Sequence, residues 1–150
     1  MKNFLVTSLI LVVSLAFMNY AQENESKTMQ KEVKDGVFIH ISHGTDDPHR
    51  MLMGLTMAER MSADKDVILY IDITGIDVVL KDSPDLTLEP FASSKTLIRN
   101  LLNKGITIMA CPTCLKAADK TPEDLAEGIS AADKDKFFNF TKGRILTIDY

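Results

Sequence analysis

Asp66-Val67-Ile68-Leu69-Tyr70-Ile71-Asp72-Ile73 is the stretch whose reading decides the fold. It is a near-continuous apolar run, rich in β-branched residues and too short for an ordinary helix. Alternating polarity, the mark of a strand with one wet face, is missing. Such a run belongs to a parallel sheet covered on both faces.

Working outward, 36–42 (Gly-Val-Phe-Ile-His-Ile-Ser) reads as an earlier strand that runs into the turn-forming loop His43-Gly44-Thr45-Asp46-Asp47-Pro48. Asp47 as N-cap and Pro48 at the first helical position predict a helix to about Ala63. Its methionines and leucines cover more than one face, which suits a helix pressed between a sheet and a neighbour. After the 66–73 strand, Val78-Val79-Leu80 is a short apolar patch and 82–92 reads as a loop. Ser93 or Ser94 caps a second helix with the stripe Leu97, Ile98, Leu101 and Leu102, ended by Gly105. A third strand is expected over 106–111, then a short helix over 115–118. Thr121-Pro122-Glu123-Asp124 predicts a helix of about two turns, and Ser130 is expected to cap another through Phe137 and Phe138. Gly143 precedes a closing strand over 144–150. The alternation predicts an α/β fold in three layers, with a mostly parallel sheet of about four to five strands and helices on both faces.

The N-terminus reads as an address. Lys2, then the uncharged and mostly apolar stretch Phe4 to Met18, then Asn19-Tyr20-Ala21 and a polar segment follow the order of a secretory signal peptide. Cleavage is expected after Ala21, leaving 22–35 as a flexible leader and 36–150 as one domain. A retained membrane anchor needs about 20 apolar residues, and this run is shorter. The expected location is secreted or periplasmic. The segment removed carries one lysine and no acid, so the remainder is one charge more negative than the −4 of the whole chain. An acidic domain of this kind has no electrostatic footprint for nucleic acid or anionic lipid. No glycine-rich phosphate signature is present, and no cofactor is expected.

The chemistry-bearing feature is Cys111-Pro112-Thr113-Cys114, which holds both cysteines of the chain. Placed between a strand and a helix opened by Pro112, the sulfurs meet unpaired backbone N–H groups that favour a thiolate. Three readings compete: redox or sulfur-transfer thiols, a structural disulfide or inert thiols, and half of a zinc site. If strand order begins 2-1-3, the loop carrying His43, Asp46, Asp47 and His49 lies beside the cysteines, and His43 tunes the thiolate. His40, within the first strand, reads as a packed, hydrogen-bonded histidine. Asp46 and Asp47 read as turn and cap residues.

Over roughly 36–150 the chain resembles the DsrE/DsrF-like family, through 39–48 (Ile-His-Ile-Ser-His-Gly-Thr-Asp-Asp-Pro), the apolar strand ending in Cys111, and Cys114-Leu115-Lys116-Ala117-Ala118. The resemblance implies a small α/β fold, homo-oligomers such as trimers or hexamers, and a persulfide-carrying cysteine at Cys114. Cys111 resembles the additional cysteine of some members. Helix-corner physics favours Cys111 as the activated sulfur, whereas the family pattern favours Cys114. The expected function is transfer of sulfane sulfur or thiol/disulfide exchange, with Cys114, Cys111 and His43 as the site. Small sulfur species or a thiol partner protein are the expected partners. The alternative is a non-catalytic homo-oligomeric module that binds a small ligand or metal and has structural cysteines.

Overall fold

The computed structural model describes residues 33–150. The expected signal peptide, and the leader as far as Glu32, lie outside the described residues. Five strands form one parallel sheet: β1 (Gly36–Ile41), β2 (Asp66–Ile71), β3 (Thr107–Ala110), β4 (Ser130–Ala131) and β5 (Ile145–Asp149). The helices are α1 (Pro48–Met61), α2 (Ser94–Asn103), α3 (Pro112–Ala117) and α4 (Lys136–Asn139). Segments of 3-10 helix cover Ile73–Val78, two turns, and Pro122–Asp124, a single turn. The α/β architecture is the expected one.

The strand order is β4-β3-β2-β1-β5. From β1 to β4 the chain steps one way across the sheet, so right-handed crossovers place α1 and α2 on one face. That face buries Val37, Ile39, Ile41, Leu69, Ile71 and Ile108 against Met51, Leu55, Leu97 and Leu101. Ile68 and Met109 are equally buried but point the other way, outside that cluster. The return from β4 to β5 reverses direction and brings α4 to this second face, where Phe137 lies 5.5 Å from Phe38 and 5.3 Å from Tyr70.

Caps follow the sequence closely. The Asp47 side chain accepts from the Arg50 N–H at 3.2 Å, and the Ser93 hydroxyl accepts from the Thr96 N–H. Gly105, just past α2, takes φ of +75°, a conformation that glycine adopts without strain.

Three expectations need correction. β3 is not a neighbour of β1, which lies between β2 as expected and β5 on its other side. The 121–124 signature is a real capping box, but the turn stops after Asp124, where Leu125 becomes extended and bridges Leu80. Ser130 does not cap a helix: it pairs with Met109 as part of β4, and the following helix is only Lys136–Asn139.

Candidate functional site

The carboxyl ends of β2 and β3 carry the two cysteines and their partners. Cys111 leaves β3 with its N–H still bonded to the Ile71 carbonyl at 2.9 Å, then becomes the N-cap of α3. Its sulfur takes the role that a serine oxygen plays in an ordinary cap, accepting from the Cys114 N–H at 3.2 Å. Pro112 at the first helical position has no N–H to lose. One turn on, the Cys114 thiol points back and donates to the Cys111 sulfur at 2.7 Å. Both cysteines are free thiols, Cys111 buried and Cys114 partly open. A disulfide bond is about 2.05 Å long, so small movements connect the two states.

The two thiols titrate in opposite directions. Burial works against a charge on Cys111, but hydrogen bonds from the Cys114 thiol, the Tyr70 hydroxyl and the N–H groups of Cys114 and Thr113 outweigh it. Its pKa is lowered. For Cys114, burial and the bond it donates to Cys111 push the pKa up, and the nearby charge of Asp72 adds to this. The opposing influence is the Ile73 N–H, which donates to the Cys114 sulfur at 3.3 Å. Tyr70 keeps its proton firmly, through burial and its bond to Cys111. The negative charge therefore belongs on Cys111 and the proton on Cys114.

Ile73 presents that N–H from an unusual backbone. Its φ is +48°, a left-handed conformation that a β-branched residue rarely adopts, and its side chain is 61% exposed. Strain of this sort costs about 1–3 kcal/mol and gathers at functional sites.

His43 is not among the cysteine partners. Its Nε2 accepts from the Arg50 guanidinium at 3.1 Å, so Nδ1 carries the proton and donates to Asp46 at 2.7 Å. Asp46 also accepts from the Gly44 N–H at 2.8 Å and the Thr74 hydroxyl at 2.6 Å. These bonds hold its pKa well below the usual carboxylate range. The role is to brace the β1 loop against the β2 loop, which approach so tightly that a Cβ on Gly44 would sit 2.4 Å from the Thr74 carbonyl oxygen. His49 packs its ring 5.5 Å from Phe91. Among the described residues no group of three or more His, Cys, Asp or Glu could hold a metal.

The histidine that does reach the β2 end is His40. Its Nε2 bonds Asp72 and its Nδ1 bonds Asp149, both at 2.9 Å, and its ring stacks on Tyr70 at 5.6 Å. Both acceptors are carboxylates, so the doubly protonated ring satisfies them together. Burial opposes that charge, but the bonds to Asp72 and Asp149 prevail and raise the pKa. Beside it, at the β1/β5 switch point, a cavity of about 530 Å³ is lined by His40, Ser42, Arg50, Asp149 and Tyr150.

The sequence reading missed Tyr70, Asp72 and Ile73. For Asp72 a signal existed, an acid directly after an apolar parallel strand. For Tyr70 only the strand pairing shows it beside Cys111, and no residue pattern announces the backbone of Ile73.

No protein-family model and no curated protein matches the sequence. Solved structures do. The protein MTH1491 from Methanobacterium thermoautotrophicum, of unknown function, aligns with a TM-score of 0.58 and 18% identity over 75% of this chain and 98% of its own. The ychN protein from E. coli aligns with a TM-score of 0.55 and 12% identity over 77% of this chain and 99% of its own. At such identities the likeness is one of backbone architecture, and these neighbours fit a DsrE/YchN-like fold.

Proposed function

We propose that this protein works through the Cys111–Cys114 pair, accepting sulfane sulfur or exchanging disulfide equivalents with a small sulfur species or a thiol partner. One observation carries the reading: two free thiols, one buried and one partly open, share a hydrogen bond of 2.7 Å at the carboxyl end of β3. Cys114, the more accessible sulfur, is the carrier. Cys111 serves first as its base and then as the resolving nucleophile.

The reactive form of the pair holds one proton and one negative charge. The Cys114 sulfur attacks one sulfur of a disulfide or polysulfide while its proton passes to Cys111. The donor's S–S bond breaks, and its leaving sulfur departs as a thiolate with the bonding electrons. That thiolate takes the proton from Cys111, whose sulfur then attacks Cys114. The internal disulfide forms and the second donor fragment leaves as a thiolate. The protein loses two electrons and the donor gains two. With a persulfide donor, the first step alone leaves sulfane sulfur on Cys114.

Export, if the N-terminal segment directs it, places the pair where it rests as a disulfide. A homo-oligomer, trimer or hexamer, belongs to the same reading. Its support is the edge strand β5, with Ile145 and Leu146 exposed, and the exposed Phe138 nearby in sequence. A second reading, a non-catalytic oligomeric module, draws its support from the switch-point cavity.

Intact-mass analysis after treatment with sodium tetrasulfide separates the two. Cys111→Ser is expected to gain and retain about one sulfur, whereas Cys114→Ser gains none. Absence of any adduct in Cys111→Ser, with no internal disulfide formed in the wild type, sinks the sulfur-chemistry reading.

A further inference from the structure

Away from the cysteines, a second cavity of about 530 Å³ opens along α2. One wall is a stripe of that helix at i, i+3, i+4 and i+7: Lys95, Ile98, Arg99 and Leu102. The other walls come from 78–83 and 126–129. Val78, Ile98 and Ile129 are buried beneath it, while Leu80, Leu102 and Ala126 keep part of their surface open. The floor is apolar and the rim cationic, with Lys81, Lys95 and Arg99 against the single carboxylate Glu127. This local excess of positive charge sits on a chain of net charge −4.

Two of the cations are placed against local preference. Lys95 lies in the first turn of α2, where the helix dipole disfavours positive charge, and no acid occupies that turn. Arg99 follows four residues later, so like charges share one helix face. Asp85, near Lys95, is already engaged by the Lys95 N–H and the Ser94 hydroxyl. The Arg99 side chain has no hydrogen bond or ion pair among the described residues. Lys95 gains only its attraction to Asp85, and two like charges held on one helix face against the dipole point to a need outside the fold.

We propose that this cavity binds an amphipathic organic anion, its carboxylate or sulfonate head between Arg99 and Lys95 and its apolar body over Leu80, Leu102 and Ala126. The guanidinium fork matches a planar carboxylate, and the lysine adds a second charge. The volume falls within the roughly 300–1,000 Å³ of small-molecule sites. Lys81 donates to the Glu123 carbonyl, which leaves the other two cations to take the head.

Decanoate, titrated into the purified protein by calorimetry below its micellar concentration, is the direct probe. Acetate supplies the head without the body, and decanol the body without the head. Decanoate is expected to saturate at one site per chain, with both controls weaker by about tenfold or more. The Lys95→Gln/Arg99→Gln double variant is expected to lose about tenfold or more in decanoate affinity. Glu127→Gln should bind at least as tightly as wild type, and Cys111→Ser should be unaffected. Unchanged thermal melting shows that the exposed substitutions leave the fold intact. Equal affinity of wild type and double variant, or decanol binding as well as decanoate, overturns the proposal. So does an absence of decanoate heat. A change of oligomeric mass in the double variant, seen by sedimentation, would then assign the surface to a protein partner.

Discussion

Tyr70 shows how one hydroxyl biases the ownership of a proton. Its hydroxyl, a donor close to Cys111, lowers that thiol's pKa and so favours charge on the inner sulfur. A hydrogen bond to a charged acceptor is worth about 1.5–3 kcal/mol. Tyr70→Phe keeps the ring that packs against Phe38 and Phe137 but removes that donor. The Cys111 thiolate fraction at neutral pH should then fall roughly tenfold, read as slower alkylation of Cys111 in a Cys114→Ser background. An unchanged rate would remove Tyr70 from the site. Ile73 offers a complementary test, because its side chain is exposed and its backbone is strained. Ile73→Gly relieves a left-handed φ that costs about 1–2 kcal/mol, and returns part of that gain through the freer unfolded chain. A net stabilisation of about 0.5 kcal/mol in urea denaturation is expected; a loss of stability would mean that the conformation carries no strain.

At the scale of elements, Gly54 sets helix propensity against packing. Alanine in a helix interior is favoured over glycine by about 1 kcal/mol. Here, however, a Cβ would lie 2.7 Å from Ile41 Cδ1 and 3.2 Å from the Tyr150 ring, where α1 meets β1. Overpacking of a buried contact costs about 1–3 kcal/mol, so Gly54→Ala should lower the urea midpoint despite its better propensity. A raised midpoint would show that Ile41 can turn aside. The same competition explains which elements the sequence discloses. β1, β2 and α2 are long enough for period and caps to agree, and Asp47-Pro48 and Ser93 mark helix starts that the structure keeps. β4 is two residues of ordinary polarity, held by pairing to Met109 and Ala110, and carries no local pattern. The capping box at Thr121 was legible, but its extent was not, because the bridge from Leu125 to Leu80 ends the turn from outside.

For the whole molecule, strand order was the hidden quantity. The cysteine corner could be placed at a strand end from residues alone, yet its neighbours depend on which strand lies alongside. With β2 between β1 and β3, His40 and not His43 faces the β2 end, and Asp72 links that histidine to the vicinity of Cys114. His40 spans three adjacent strands, since Asp72 follows β2 and Asp149 ends β5. Its folded pKa is raised, while an unfolded histidine titrates near about 6.5. Below that unfolded value both states hold the proton, and the stabilisation is fully present. As the pH climbs through the raised folded value, the native ring loses its proton, one carboxylate loses its donor, and the stabilisation fades. Partial exposure and solvent screening keep the effect modest, on the order of 2–4 °C in Tm for a domain of this size. The Tm gap between wild type and His40→Gln should therefore be larger near about pH 6 than near about pH 9. A gap that is constant, or that widens with rising pH, would mean that His40 sits between Asp72 and Asp149 as a neutral ring and ties the strands together without its charge.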